Sequence, residues 1–299
     1  MKTWILLFCL LLASCGGRQT QSSDHEGFYR IDFRPLVKNE ALKVGLNEWG
    51  TNPRYVWLET NESIQIKSIQ RVILDSDRFL VVHSDRVSLF DKDGKYKYDI
   101  GEKGEEEGKY QRMFGVVLRN DTLFVVDGNY DFTLYNWQGK YLGKRFQPKI
   151  RHTKNFFLVP NTDLFLGHVD NFTGQKKVRF VFFRDTTAIK TIPVTEKLEP
   201  ASPMVVYSIP SEMKSFDGLV PAFKETFNDT IYQVDENLNL IPYAVVELGK
   251  YKATKEAMFA CTAEQLMKKW DFFNGKIALT AVGEKDGIIY LAHHDVTDP

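Results

Sequence analysis

A segment reading Leu89-Phe90-Asp91-Lys92-Asp93-Gly94-Lys95-Tyr96 recurs 45 residues later as Leu134-Tyr135-Asn136-Trp137-Gln138-Gly139-Lys140-Tyr141. Upstream, Phe79-Leu80-Val81-Val82 recurs as Leu123-Phe124-Val125-Val126 at nearly the same offset. Each unit reads as apolar strand, turn, alternating strand, Gly turn, strand. Units of roughly 40–45 residues with several strands apiece are the signature of propeller blades. One such unit cannot bury both faces of its sheet, so neighbours must stack on it.

Weaker units follow. Asp163-Leu164-Phe165-Leu166 leads into Val178–Phe183 and then Ile189-Lys190-Thr191-Ile192. A fourth unit holds Asp229–Val234, a turn at Glu236-Asn237 and Leu240–Leu248; a fifth holds Lys276–Val282 and Ile288–Ala292. Asp-Lys-Asp-Gly and Asn-Trp-Gln-Gly read as hairpin connections in which Gly takes a positive φ. Between the last two units, Phe259, Ala263, Leu266 and Trp270 fall at helical spacing, which predicts a helical insert over Lys255–Trp270. The expected fold is all-β, a propeller of four-stranded blades over 64–110, 111–150, 151–197, 198–249 and 250–299, with one helical insert near 255–270.

The amino terminus is organised differently. Lys2 precedes the apolar run Trp4–Leu12, which ends in Leu12-Ala13-Ser14-Cys15. A run of about ten residues is half of what a membrane span needs, so 1–14 reads as a signal peptide. Its junction resembles the bacterial lipobox, which implies cleavage before Cys15 and acyl chains on that residue. Several chains hold a soluble domain at a bilayer where one does not. Residues 15–27 carry nothing to bury and read as a polar tether, with a reach of roughly 40 Å. The propeller domain then spans 28–299.

The 299 residues carry 39 basic and 39 acidic side chains, and removal of the signal peptide takes away only Lys2. A nucleic-acid binder needs a basic surplus, so none is expected. Cys9 leaves with the signal, Cys15 is committed to lipid, and Cys261 is left without a disulfide partner. With no base evident in the neighbouring sequence, Cys261 reads as a packing residue. Burial alone must hold the fold, and aromatic residues at 13% of the chain supply strand-favouring apolar surface for it.

Several stretches together resemble the six-bladed β-propeller lipoproteins of Bacteroides-type bacteria: Val56-Trp57-Leu58-Glu59-Thr60, Ile69–Val82, the turn Phe90–Tyr96 running through Gly101 and Gly104, and Phe227-Asn228-Asp229-Thr230-Ile231-Tyr232. The resemblance covers roughly 28–295. It implies six blades, an outer-membrane lipid anchor and a periplasmic or surface location. Gly16-Gly17-Arg18 after the Cys, in place of acidic residues, favours the periplasmic side. Two departures stand out. The exit loop Gly104–Tyr110 lacks the family's Pro, and the sequence reaches Pro299 inside the fifth unit. The ring is therefore expected to be incomplete, or closed by the N-terminal strand region Tyr29–Val37.

No motif for chemistry stands out. The acidic run Glu102, Glu105, Glu106, Glu107 reads as a solvated loop, because consecutive side chains do not converge on a cation. Asp91-Lys92-Asp93-Gly94 begins like a calcium loop, but Lys95 and Tyr96 break the pattern. His293 and His294 are strand neighbours and point to opposite faces, while His83, His152 and His168 have no ligand spacing. Tyr130, Trp137 and Trp49 lie near turns, where aromatic rings either stack sugars or cap the space between blades; the capping reading is preferred. No catalytic residue, metal ligand or cofactor is assigned beyond the acyl chains on Cys15. The expected function is a lipid-anchored binding or scaffold module for a protein, peptide or glycan. The alternative, by analogy with other six-bladed propellers, is a hydrolase or lyase with a divalent metal at the channel mouth.

Overall fold

The computed structural model describes residues 27–38, 53–75, 77–83, 86–150, 153–159, 161–169, 176–195, 222–225, 228–254, 256–257, 275–285 and 288–295, with 45 and 48 alone. Three sheets follow the pattern that the repeat predicts. Strands β2 (Ile69–Asp75), β3 (Arg78–His83), β4 (Arg86–Asp91) and β5 (Tyr96–Asp99) form the first blade, in that order. Strands β6 (Met113–Arg119), β7 (Thr122–Asp127), β8 (Phe132–Asn136) and β9 (Tyr141–Phe146) form the second. Strands β10 (Thr153–Leu158), β11 (Phe165–Val169), β12 (Val178–Arg184) and β13 (Thr187–Pro193) form the third. Within these blades each strand runs antiparallel to the next.

The fourth blade is built from two distant parts of the chain. Strands β14 (Ala222–Lys224), β15 (Thr230–Val234) and β16 (Leu240–Glu247) are antiparallel, and β1 (Tyr29–Asp32) adds to β16 in parallel, Tyr29 opposite Ala244. Turn chemistry fixes which strands these are. Asp91 Oδ1 accepts the N–H groups of Asp93 and Lys95 between the third and fourth strands of the first blade. Asn136 Oδ1 accepts Lys140 N–H in the second blade, and Asp235 Oδ1 accepts Asn237 and Asn239 N–H between β15 and β16. So β15 and β16 are third and fourth strands, and β14 is a second strand. A two-stranded antiparallel sheet, β17 (Ile277–Lys285) and β18 (Ile288–Asp295), follows.

Two expectations are corrected. The described residues form a four-bladed propeller and not a six-bladed one: there are four four-stranded sheets and the two-stranded sheet. The physical reason is that, among the described residues, the fourth unit supplies three strands locally and gains β1 from the amino terminus on the far side of β16, while the fifth supplies two. The count of six came from the resemblance, not from the residues. The helical insert at 255–270 is not among the elements of the described residues either; in that stretch those residues are Glu256 and Ala257 alone, both helical in backbone. Phe259, Ala263, Leu266 and Trp270 themselves lie outside those residues, as do 1–26 with Cys9 and Cys15.

The core lies in the seams between blades. Leu80, Val82, Val87 and Leu89 of the first blade meet Val116, Leu123, Val125 and Tyr135 of the second. Alternation then sends Phe124, Val126, Phe132 and Leu134 out of the other face of the second blade, against Phe165, Val181 and Phe183 of the third. Leu166, Phe180 and Phe182 face Phe223 of the fourth, and Ala222, Ala244 and Val246 face Ile277 and Leu279 of the hairpin. The second seam is aromatic. Phe132 stacks on Phe146 at 4.9 Å and meets Phe156 edge-on at 4.6 Å. Such ring pairs add about 0.5–1.5 kcal/mol each beyond burial. At the outer rim the fourth strands of the first three blades each reach the next blade's turn. Tyr98 OH donates to the Trp137 carbonyl at 3.1 Å, Lys144 pairs with Asp185 at 2.9 Å, and Lys190 Nζ donates to the Asn237 carbonyl at 2.9 Å.

Candidate functional site at the ends of the second strands

A strand with both faces buried should be apolar throughout. The second strands break this rule at one end. His83 closes β3, Asp127 closes β7, His168 is next to last in β11, and Lys224 closes β14 with Glu225 after it. All five side chains are buried. Buried polar groups persist only where they are hydrogen-bonded, so each blade carries a network at this end.

In the first blade Ser88 Oγ donates to Asp99 Oδ1 at 2.6 Å. Ser88 has one proton to give, so the 2.8 Å bond to His83 is donated by the imidazole Nε2–H. In the second blade Asp127 Oδ1 accepts the N–H groups of Asn129 and Asp131, and Oδ2 accepts Arg145 at 2.8 Å. Arg145 also donates to Asp131 at 2.6 Å. These bonds hold the loop after β7 in one shape, with Tyr130 at a φ of 64°.

The third network joins two blades. Glu225 accepts Arg179 Nε at 3.2 Å on one oxygen and Arg179 Nη2 on the other. Asn228 Nδ2 donates to the same carboxylate at 3.2 Å, and His168 Nε2 lies 3.4 Å from it. The Arg179 guanidinium sits against the rings of Phe180 and Tyr232. Lys224 Nζ turns the other way and donates to the carbonyls of Glu225 at 2.9 Å and Leu279 at 3.3 Å. Burial pulls the Lys224 ammonium down to about 8, against the pull of Asp229 and Glu225. His168 Nδ1 is buried with no hydrogen-bond partner among the described residues.

The histidines read from the sequence are thus partly placed. His83 and His168 both lie at second-strand ends, but in separate networks. His293 and His294 lie opposite Leu279 and Ala278 in the hairpin register, and His152 lies outside the described residues. Among the described residues no group of three His, Cys, Asp or Glu side chains could hold a metal ion. Glu102 and Glu106 of the acidic run pair with Lys109 at 3.1 and 3.6 Å. Asp91 is a turn residue, held at about 2 by Lys97, first of all, and by the N–H groups of Lys95 and Asp93. Trp137 is buried in the first seam, under the Arg78 guanidinium. Trp49, Cys261 and Cys15 lie outside the described residues. Sequence reading missed Asp127, Arg179, Lys224 and Glu225. The available signal was positional: in the first two repeats a polar residue follows the same apolar run, Val81-Val82-His83 and Val125-Val126-Asp127.

Antiparallel blades stacked face to face, with rim contacts from each to the next, define a β-propeller. The family described as Domain of unknown function (DUF4934) matches residues 28–296, and the chain belongs to it. Among solved structures, a "Putative exported protein" from Bacteroides fragilis has 16% identity and a TM-score of 0.61, over 82% of this chain and 70% of that one. A member of the DUF4221 family from Bacteroides vulgatus has 11% identity and a TM-score of 0.44, over 64% and 60%. Virginiamycin B lyase from Staphylococcus aureus has 11% identity and a TM-score of 0.43, over 74% and 61%. The chain thus spans less than two thirds of the last two. No curated protein matches it. No helix of the described residues is long and apolar enough to cross a membrane.

Proposed function

We propose that this chain is a cell-envelope binding module, held to the outer membrane by acyl chains on Cys15 and facing the periplasm, whose propeller presents a recognition surface to a protein, peptide or glycan. The observation that carries the binding half is the row of buried polar networks at the second-strand ends. Loops that start from hydrogen-bonded, buried positions hold their side chains in place for a partner. The anchor half rests on the Leu12-Ala13-Ser14-Cys15 junction and the polar stretch after it. The exported status of the Bacteroides fragilis structure agrees with an envelope location.

The test has two arms. Cells fed an alkyne fatty acid should label the wild-type chain and leave Cys15→Ala unlabelled and absent from the membrane fraction; labelling of both would remove the anchor. The detergent-solubilised chain should retain a partner from the envelope or a saccharide on a glycan array. Blank results in both would overturn the binding reading.

A further inference from the structure

The first strands of the first three blades, and of the hairpin, each carry a bulge opposite the end of the partner strand. The extra residue is Gln70 in β2, Phe114 in β6, Asn155 in β10 and Thr280 in β17. A bulge re-aims a side chain out of the pleat. In the second blade the re-aimed residue is a phenylalanine that stays 46% exposed. The other repeats have Gln, Asn and Thr at this site, so the bulge itself does not require an aromatic ring.

Two neighbours complete a platform. Tyr130 meets the Phe114 ring edge-on at 5.8 Å. Its φ of 64° is a conformation that bulky residues rarely adopt, held by the Asp127 network on either side of it. The exposed Arg112 guanidinium lies over the Phe114 ring at 5.5 Å. Charges around this loop do not cancel: Arg145 is matched by Asp127 and Asp131, whereas Arg112 has no carboxylate partner among the described residues.

We propose that Phe114, Tyr130 and Arg112 form a subsite for an acidic saccharide, with a pyranose ring stacked on Phe114 and its carboxylate on Arg112. The inference rests on the binding reading above and names its ligand class. A flat ring with polar margins suits a ligand with an apolar C–H face and a hydroxylated edge. An apolar peptide side chain calls instead for a concave apolar pocket, and this loop is bordered by charged groups. The guanidinium matches a carboxylate by charge and by geometry.

The experiment is calorimetry of the full-length chain in detergent with tetragalacturonate and with its neutral galactose counterpart. The wild type should bind the uronate at least tenfold more tightly than the neutral sugar. Phe114→Ala should lose binding of both by tenfold or more. Arg112→Gln should bind the two alike, because the carboxylate contact is gone and the stacking stays. Tyr130→Gly, which relaxes the backbone, should keep or raise the melting temperature while weakening uronate binding severalfold. Phe114 and Arg112 are exposed, so a wild-type melting curve confirms that those variants fold. Equal or absent binding of the two sugars by the wild type overturns the proposal, and so does wild-type affinity in Phe114→Ala. If the sugars fail while an envelope protein is still captured, the subsite falls and the binding module stands; if both fail, both fall.

Discussion

Glu225 of the fourth blade accepts both nitrogen positions of the Arg179 fork from the third, a buried charge pairing between the two blades. Removing one partner of a buried pair leaves the other without compensation, at a cost of about 3–5 kcal/mol. Glu225→Leu and Arg179→Met should each lower stability by that order. The double variant Arg179→Met with Glu225→Leu should recover most of the loss, since it leaves no charge stranded. Urea unfolding midpoints for the four proteins give the coupling; simple additivity would show that the pair does not act as a unit.

Lys224, on the side of the fourth blade that faces the hairpin, makes stability pH-sensitive in the opposite direction from a salt-bridged cation. Its folded value of about 8 lies below its ordinary 10.5, chiefly because burial disfavours the charge. Below pH 8 the ammonium is charged in both states and the burial cost is present in full. Between pH 8 and 10.5 the folded protein sheds the proton and the unfolded chain keeps it. This group therefore makes stability rise with pH through that window, by on the order of 3 kcal/mol. The difference between wild type and Lys224→Met, measured by urea unfolding at pH 7, 9 and 10.5, should shift by that amount; an unchanged difference would refute the assignment.

The repeat was legible where turn chemistry is spelled in the same letters. Asp91 and Asn136 each cap a turn whose positive φ falls on Gly94 and Gly139. The fourth blade makes the same turn with Asp235 as cap and Leu238 at a φ of 58°, so no Gly marks it. The amino-terminal strand region Tyr29–Val37 was legible as a closing element, but its partner strand was not. Tyr29 and Ala244 are far apart in sequence, and no local pattern encodes a parallel pairing between them. Arg179 and Glu225 stand one repeat apart and meet only because blades stack. Phe114 reads as one more alternating strand residue until the register shows its bulge.

Gly94 is needed for more than its turn. A Cβ on it would overlap the carbonyl oxygen of Trp57, and its φ is 84°. Its own carbonyl accepts the N–H of Glu59 at 2.8 Å, which fastens the extended residues 53–60 across the hairpin tip. Gly94→Ala should destabilise by about 1 kcal/mol or more through the backbone alone. It should also expose the 53–60 segment to limited proteolysis ahead of global unfolding. Cleavage kinetics there that match the wild type would show that the glycine serves only the turn.

Trp137 and Trp57 provide an optical test of the seam packing. Trp137 is 4% exposed between the first two blades, with the Arg78 guanidinium 4.0 Å above its ring, whereas Trp57 is 88% exposed. Trp137→Phe should remove a blue-shifted emission component that acrylamide quenches poorly. Trp57→Phe should remove a red-shifted, easily quenched one and leave stability nearly unchanged. Trp137→Ala empties a large volume in the first seam and should cost about 3–5 kcal/mol. Arg78→Met removes the cation and keeps most of the cover over the ring, so its cost should stay near 1 kcal/mol. If Trp137→Ala proved as mild as Arg78→Met, the indole would not be holding the first two blades together.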